Sequence, residues 1–512
     1  MKNLQSPKSN YLSEIFTKDD FANMSNDKMY AFYSVPDSGK TTMIIKTLQP
    51  YLKESCKKAL YLSPRTAINE QNKADFDDTV IHSKTYQKLE HDIINGINFF
   101  KDYDFIICDE CHYFVEDAPI NNLTDESFNF INQSNSIVIL MSGTPDYLKG
   151  LKDLWERPIV TLVDIDRSNH NVTKVCLCSA TKDDELLLKH ELDKLVRMKK
   201  RIIVYDSNIS DLYSLSTEYK QQASELGIKV SFICSKRNKE YSAFSDTDNL
   251  EFLMDTRRID TDLLFITSAL NTGISIDEDF EYLFIFGNPS KTDIFQLIAR
   301  VRKGTANRNI KTVYCSVPKH NSIKCRLEGL QFDLAYLENP IEWQTKKKSR
   351  GFPDYMQMRH SYVYDDNGNQ LFTPQGNPVT KARPEVNQMK LGKLKQDICE
   401  YTSLLRYGSM TEAYRQLFIN RYNSITVTTL REELEQQGVS QLVSLMEQYA
   451  GQDYLTDEQQ AVIKNLCKEH GLLASIGKIN DLLDDHGYNF RLISKQKKTP
   501  GGRNLRVWCV TR

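Results

Sequence analysis

The sequence lacks the features that mark membrane and secreted proteins. No apolar run in the 512 residues reaches the roughly 18 that a membrane span requires. The opening stretch MKNLQSPKSN has no apolar core of a signal peptide. Eleven cysteines are scattered without the density of a disulfide scaffold, which predicts reduced thiols in a cytoplasmic protein. We therefore expect no membrane partner, and no nuclease signature is evident.

An excess of charge of either sign is also missing. The 66 Lys and Arg residues are balanced by 68 Asp and Glu residues, for a formal net charge of -2. Any surface for nucleic acid must therefore be a local basic patch. The C-terminus carries such a patch, because the segment from Tyr488 to Arg512 has seven basic residues and no acidic one.

Short β-rich runs alternate with helix-like stretches in two successive parts of the chain. From Met29 to about Asp166, runs such as MYAFYSV, DFIICDE and SIVILMSG are apolar on both faces, as in buried strands of a parallel sheet. The pattern restarts after Asn171 with runs such as VTKVCLCS, KRIIVYDS and DLLFITSA. We predict an N-terminal lead-in over 1–28 and two tandem α/β domains over 29–166 and 167–320.

After about Pro318 the alternation stops. We expect a basic, turn-rich connector over 321–385, with a hairpin around Asn367-Gly368, and a helical accessory region over 386–473. The last part, 474–512, reads as a helix followed by a basic β-hairpin, which resembles the second half of a winged helix.

The stretch SVPDSGKTT, Ser34–Thr42, is close to a nucleotide-binding loop. The pattern Gly-x-x-x-x-Gly-Lys-[Ser/Thr] is met at Gly39, Lys40 and Thr41, but a serine replaces the first glycine and Asp37 adds a carboxylate. The stretch follows a strand and opens a helix-like run, the context in which backbone N–H groups meet phosphate. The alternative is a lysine in an ordinary strand-to-helix turn. The predicted nucleotide-binding residues of this loop are Ser34, Ser38, Gly39, Lys40, Thr41 and Thr42.

A second motif, YDFIICDECHYF, ends a buried run with Asp109 and Glu110. At the carboxyl end of a neighbouring strand, Asp109 would bind Mg²⁺ together with Thr41, and Glu110 would activate the attacking water. The alternative is a pair of solvated acids. The spacing of ~70 residues after a phosphate loop favours the functional interpretation.

These motifs open an ordered series that resembles the superfamily 2 helicases of the DExH group over roughly residues 29–320. SVPDSGKTT matches motif I, SPRTAINEQ looks like motif Ia, SKTYQKL is similar to the next backbone-contact segment, DECH is motif II and MSGTP looks like motif III. RIIVYDSN, TSALNTGISID and QLIARVRKG match motifs IV, V and VI. The residues of motifs V and VI are more similar to those of origin-binding replication helicases of large DNA viruses and their phage or plasmid relatives than to those of DEAD-box proteins.

The resemblance implies a fold and a set of roles. The fold it implies is two tandem RecA-like parallel-sheet domains, and the C-terminal pattern described above adds a mainly helical region that ends in a winged helix. The implied catalytic residues are Glu110, Asp109, Gln296, Arg300 and Arg302. Motif V would add Gly273 and Asp277 to the nucleotide site, and the coupling residues would be His112, Ser142 and Thr144. The nucleic-acid contacts would be Arg65, Thr85 and Thr267, with Lys495, Lys497, Lys498 and Arg503 in the C-terminal hairpin.

Two motifs depart from the family pattern. Motif VI usually has two arginines three apart, whereas here Arg300 is followed by Lys303, with Arg302 just before it. A lysine cannot copy the planar guanidinium, so we expect Arg302 to serve as the second arginine, with Lys303 as the alternative. Motif V has Ser275 where an aspartate is common, with Asp277 available to compensate.

The expected function is an ATP-dependent helicase or translocase that uses ATP and Mg²⁺ in replication or repair of a phage, plasmid or similar element. Single-stranded DNA would lie in the motor cleft and duplex DNA at the C-terminus, with replication proteins as further partners. One alternative is an RNA helicase. An alternative of a different class is an ATP-gated or ATPase-dead DNA-binding module, such as an initiator or defence-complex subunit.

Overall fold

The architecture was derived from a computed structural model. It describes residues 12–35, 38–65, 75–97, 103–144, 148, 151–165, 172–235, 238–267, 275–287, 289–302, 310–347, 351–363, 365, 370–374, 379–422, 424–498 and 504–511. Several residues singled out in the sequence lie outside this part of the chain, namely Asp37, Gly273, Lys303, Asn367, Gly368 and Arg503.

Helices and strands alternate through the first two thirds of the described chain. The strands are β1 (Met29–Ser34), β2 (Ala59–Ser63), β3 (Ile81–Thr85), β4 (Phe105–Cys108), β5 (Ile137–Ser142), β6 (Ile159–Ile165), β7 (Val172–Ser179), β8 (Ile202–Asp206), β9 (Val230–Ile233), β10 (Leu263–Ile266), β11 (Ile276–Asp277), β12 (Tyr282–Phe286), β13 (Val301–Arg302), β14 (Ile310–Val317), β15 (Met356–Tyr362), β16 (Thr380–Val386), β17 (Thr426–Thr429), β18 (Arg491–Lys498) and β19 (Asn504–Thr511). The α-helices are α1 (Leu12–Ile15), α2 (Lys18–Ala22), α3 (Lys40–Met43), α4 (Gln49–Glu54), α5 (Tyr86–Ile94), α6 (Tyr113–Glu116), α7 (Thr124–Gln133), α8 (Lys182–Arg197), α9 (Ile209–Leu226), α10 (Thr247–Thr256), α11 (Lys291–Arg300), α12 (His320–Leu334), α13 (Pro340–Lys347), α14 (Gln388–Leu404), α15 (Met410–Arg421), α16 (Leu430–Tyr449), α17 (Asp457–Glu469) and α18 (Ile476–Asp485).

The first domain is a six-stranded sheet in the order β3-β2-β4-β5-β1-β6, with parallel pairing throughout. Both faces are buried: Met29 and Ala31 pack into one core, whereas Tyr30 and Phe32 pack into the core on the opposite face. This explains the continuous apolar run of β1, since side chains alternate between the two faces. Strand β5, which carries motif III, lies between β4 and β1. Because the three strands are adjacent and parallel, motifs I, II and III lie together at their carboxyl ends.

The second domain is a seven-stranded sheet in the order β17-β7-β14-β12-β8-β10-β9, also parallel. Its strand β8 likewise alternates between two cores, with Ile203 on one face and Ile202 on the other. The edge strand β17 comes from residues 426–429, far beyond the boundary expected at 320, and pairs with β7. The prediction of two tandem RecA-like parallel-sheet domains with a mainly helical C-terminal region is confirmed.

The segments that flank the sheets pack on them closely. In the expected lead-in, Leu12, Phe16 and Phe21 are buried in one core of the first domain. Helix α14 contacts both domains, because Met389 near its start lies in the first domain's core and Leu404 at its end lies in the second domain's core. These ends are roughly 22 Å apart along a helix, so α14 spans the two domains.

The C-terminal part forms a separate core. Helix α16 contributes Leu434 to the second domain and, two turns later, Leu442 to a cluster formed with α17, α18, β18 and β19. The backbone N–H of Leu455, between α16 and α17, donates to the Trp508 carbonyl in β19 at 2.7 Å. This core therefore begins before residue 474, where the sequence predicted its start. Among the helices that the structure describes, none combines the length and apolarity of a membrane span.

Candidate active site

The phosphate loop connects β1 to α3. Gly39 precedes the helix with φ of 83°, a left-handed conformation that glycine adopts without strain. The Lys40 ammonium donates to the Ser34 carbonyl at 2.7 Å, inside the turn of the loop. The Ser34 side chain is buried, and its hydroxyl lies 2.7 Å from the Ser38 hydroxyl. The serine in place of the first glycine is therefore accommodated by a hydrogen bond within the loop.

The motif II carboxylates follow β4. The Asp109 N–H donates to the Leu62 carbonyl at 2.9 Å, which continues the sheet pairing by one residue. Glu110 has φ of 45°, in the left-handed region that is costly for a residue with a side chain. Its carboxylate accepts from the Gly143 N–H at 3.3 Å. This strained turn directs Glu110 toward motif III and the second domain.

The two acids have opposite electrostatic environments. Burial, together with the neighbouring Glu110, raises the pKa of Asp109 to about 6. Burial also opposes ionisation of Glu110, but the electrostatic influence of the neighbouring His112, Lys40 and Arg300 holds its pKa below the usual range. Glu110 is therefore the carboxylate kept ionised, as a general base must be.

Oxygen atoms suited to Mg²⁺ converge beside this pair. The Tyr61 hydroxyl donates to Asp109 Oδ2 at 2.5 Å and also hydrogen-bonds the Thr41 side chain. Thr41 and Asp109 thus share one hydrogen-bonding partner, and both supply the hard oxygen ligands that Mg²⁺ prefers. The residues present therefore fit the metal. Tyr61 was not predicted from the sequence, where it is one aromatic residue of a buried strand; only its polar hydroxyl hints at a partner.

The second domain contributes an arginine to the same carboxylate. Arg300 ends α11, and its guanidinium Nη2 lies 3.7 Å from Glu110 Oε1. Both side chains are only 16% exposed. Arg302 is instead the register partner of Asp277 in the short parallel pair β11–β13. The structure therefore brings Arg300 into direct contact with motif II.

The predicted coupling residues form a hydrogen-bonded network across the cleft. His112 Nδ1 lies 3.0 Å from the Ser142 hydroxyl, which also accepts from the Thr144 N–H at 3.0 Å. On its other side, His112 Nε2 lies 3.1 Å from the amide nitrogen of Gln296 in α11. Motifs II, III and VI are thereby linked through one imidazole.

The predicted nucleic-acid residues of the two domains lie in different settings. Arg65 forms a two-point ion pair with Asp117, at 2.6 and 3.3 Å. The Thr85 hydroxyl caps α5 by accepting from the Lys88 N–H at 3.1 Å. Thr267 follows β10 and is buried. Their contacts with nucleic acid stay a prediction.

The C-terminal hairpin pairs β18 with β19 in antiparallel register. Its basic residues Lys495 and Arg506 are exposed, whereas the Lys497 ammonium lies over the Tyr454 ring. Trp508 packs against the terminal core, with the Lys464 ammonium 5.0 Å from its ring centroid. The preceding helix α18 carries three exposed acids, which are Asp481, Asp484 and Asp485. The positive charge is therefore concentrated on the hairpin.

One cleft residue comes from a region without an expected function. Arg421, the last residue of α15, donates to the Gly143 carbonyl at 3.0 Å. Its guanidinium carbon lies 5.2 Å from the Phe295 ring centroid. The helical periodicity of the accessory region carries no signal that could single out this arginine, since arginines are common on helix surfaces.

No family model matches the chain, and no curated protein does either. Among solved structures, the chain is similar to Dbp5 from S. cerevisiae bound to RNA and ADP BeF3. The match to a point variant of Dbp5 has 15% identity and a TM-score of 0.42, and covers 58% of this chain and 81% of that one. A match to a second structure of Dbp5 bound to RNA and ADP BeF3 has 14% identity and the same TM-score and coverage. The chain is also similar to the DUF1998 helicase MrfA bound to DNA, with 14% identity, a TM-score of 0.39, and coverage of 60% of this chain and 46% of that one.

Proposed function

We propose that this protein is an ATP-driven nucleic-acid helicase or translocase whose hydrolysis site lies between its two parallel-sheet domains. The observation that carries the proposal is the meeting of Glu110 from the first domain with Arg300 from the second, 3.7 Å apart and beside the charge of Lys40. A carboxylate, a lysine and an arginine from two domains are the groups that phosphoryl transfer to water requires.

Each group has a role that follows from its chemistry. Lys40 would exchange the loop carbonyls it now contacts for the β- and γ-phosphate oxygens of ATP. Glu110, held ionised, would orient the attacking water and accept its proton. Arg300 would leave Glu110 for the γ-phosphate and stabilise the charge that develops there. Mg²⁺ held by Thr41 and Asp109 would neutralise phosphate charge.

The cleft offers a route from hydrolysis to movement. Glu110 and His112 of the first domain face Arg300 and Gln296 of the second. With ATP bound, Arg300 on the γ-phosphate would join the two domains through the nucleotide, and loss of that phosphate would remove this link. Single-stranded nucleic acid bound across both domains would then be moved by alternate closure and opening. Phosphate contacts by Arg65, Thr85 and Thr267 would make this movement independent of sequence.

We further propose that the strand is DNA and that the C-terminal unit is a winged helix that binds duplex. The support is the order of the elements, which share one core. In chain order they are α16, the segment at Leu455, α17, α18 and the β18–β19 hairpin. Because α18 is acidic on its exposed face, the duplex contact would fall to the hairpin, through its phosphate-binding lysines and arginines. A role in replication or repair of a phage or plasmid-like element accords with this proposal, as do replication-protein partners.

The deciding experiment is steady-state ATP hydrolysis without nucleic acid and with single-stranded DNA, duplex DNA or RNA. Stimulation by single-stranded DNA is expected, with at least a 100-fold loss in Glu110→Gln, which keeps the shape of the side chain but cannot accept a proton. Nucleotide binding by this variant should persist. Stronger stimulation by RNA would instead support the RNA helicase.

A second candidate function is a DNA-binding module whose ATPase site is inactive. It is favoured by the hydrogen bonds that the Lys40 ammonium donates to the Ser34 and Val35 carbonyls of its own loop. In that case ATP would fail to displace the carbonyls. DNA binding without any nucleotide-stimulated turnover would support this function and refute the motor.

A further inference from the structure

Arg421 joins the accessory region to the proposed hydrolysis site. Its helix α15 contributes Met410, Ala413 and Phe418 to a core of the second domain. The helix therefore moves with that domain. The last residue of α15, Arg421, extends to the first domain, where it donates to the Gly143 carbonyl.

The residue that Arg421 contacts also contacts the proposed base. Gly143 donates its N–H to Glu110 Oε2 at 3.3 Å, and its carbonyl accepts from Arg421 at 3.0 Å. Gly143 is thus held between a carboxylate of motif II and an arginine of the accessory region. Because glycine has no side chain to limit its backbone rotation, two opposed hydrogen bonds are an effective means of orienting it.

The surroundings make this contact selective for arginine. Arg421 lies over the Phe295 ring, where a planar guanidinium gains a cation–π interaction. A small cavity beside it is lined by Glu110, Gln296 and Arg300. Arg421 therefore borders the space next to the proposed base.

We propose that Arg421 is a positioning residue, which orients Gly143 against Glu110 in the closed cleft and so makes hydrolysis depend on the docked accessory region. The inference rests on the proposed function. It extends that function by assigning α15 a role in closure, in addition to the arginine of motif VI.

The test compares Arg421→Ala and Arg421→Lys with Arg415→Ala. Arg415 lies on the same helix but donates to the Val427 carbonyl and pairs with Glu432, away from the cleft. With single-stranded DNA present, Arg421→Ala should lower kcat at least 10-fold while KM for ATP changes less than 3-fold. Arg421→Lys should recover part of the loss, because lysine can still donate to the carbonyl. Arg415→Ala should retain kcat within 2-fold.

A second measurement reports closure without turnover. Cys56 in the first domain and Cys325 in the second are exposed, as is Cys399. With Cys399→Ser, dyes on the other two cysteines would report the distance between domains by energy transfer. In the presence of ADP and beryllium fluoride, the parent protein should show high transfer and Arg421→Ala a lower value.

The outcomes separate the two proposals. An Arg421→Ala variant with unchanged kcat, or with unchanged energy transfer, overturns the role of Arg421. The role would also be overturned if Arg421→Ala had a lowered melting temperature and Arg415→Ala lost as much kcat as Arg421→Ala. The loss of kcat would then be a structural effect. A parent protein without any hydrolysis would refute the proposed function, and the energy transfer alone would then decide whether Arg421 holds the domains together.

Discussion

The amide nitrogen of Gln296 lies 3.1 Å from His112 Nε2, across the cleft between the two domains. The opposite ring nitrogen, Nδ1, lies 3.0 Å from the Ser142 hydroxyl. One imidazole of motif II therefore joins motif VI to motif III. The link depends on closure, because its two ends belong to different domains.

Loss of this link should separate ATP hydrolysis from strand movement. We expect Gln296→Ala and His112→Ala each to retain ATP binding but to lower nucleic-acid stimulation of hydrolysis about 10-fold, with a larger loss of unwinding. Because the two residues act through one contact, the double variant should lose little more than either single variant. Gln331→Ala on α12, which is exposed, is the control. Additive losses would show that the residues act separately.

The two arginines of motif VI should differ in importance. Arg300→Lys should lower kcat by roughly 10³-fold, since a lysine cannot reproduce the guanidinium at the developing γ-phosphate charge. Arg302→Lys should have a smaller effect, because Arg300 makes the contact with Glu110, whereas Arg302 belongs to the strand β13 that pairs with β11. Steady-state kinetics of both variants would test this order. A larger loss in Arg302→Lys would mean that Arg302 approaches the nucleotide when ATP binds.

Asp206, at the end of β8, should make stability depend on pH. Burial raises its pKa to about 6, above the ordinary 3.8. The folded state therefore favours the protonated acid, and stability is lost as the pH rises from about 4 to 6. Asp206→Asn keeps the acceptor for the Asn208 N–H and should be more stable than the parent by about 2 kcal/mol at pH 7, but equal to it below pH 4.

Denaturant titrations of both proteins from pH 4 to 8 measure this difference. Asp255→Asn, which removes an exposed carboxylate from α10, serves as the control and should change stability little at any pH. A stability gain of Asp206→Asn that is the same at pH 4 and pH 7 would contradict the assignment.

The C-terminal hairpin should supply the salt-sensitive part of duplex binding. We expect Lys495→Ala combined with Arg506→Ala to weaken duplex DNA binding and to reduce the slope of log affinity against log salt by about 2, one for each lost phosphate contact. Lys478→Ala on α18 is the matched control, because Lys478 pairs with Asp481. An unchanged slope would exclude the hairpin as the duplex contact.

The sequence contained most of what defines the two α/β domains. The runs of β1 and β4 have the length of a strand and are apolar on both faces. The local pattern alone therefore predicts buried parallel strands. Gly39 and Lys40 were found by spacing, because the phosphate loop is a contiguous motif whose chemistry is local. Through the resemblance, the ordered motifs also assigned Glu110 and Arg300 to one expected catalytic set, although 190 positions separate them.

The tertiary structure decided which residues join the site from outside any motif. Tyr61 and Arg421 belong to a buried strand and an amphipathic helix, where their residue types are ordinary and their partners are set by packing. The same applies to β17, whose four residues enter the second sheet more than 100 positions after the end of β14. Contacts between distant segments depend on how the whole chain packs, whereas motifs and periodicities report only the local chain. For this reason the sequence by itself determined the chemistry of the proposed site, and only the tertiary structure determined how the accessory region reaches it.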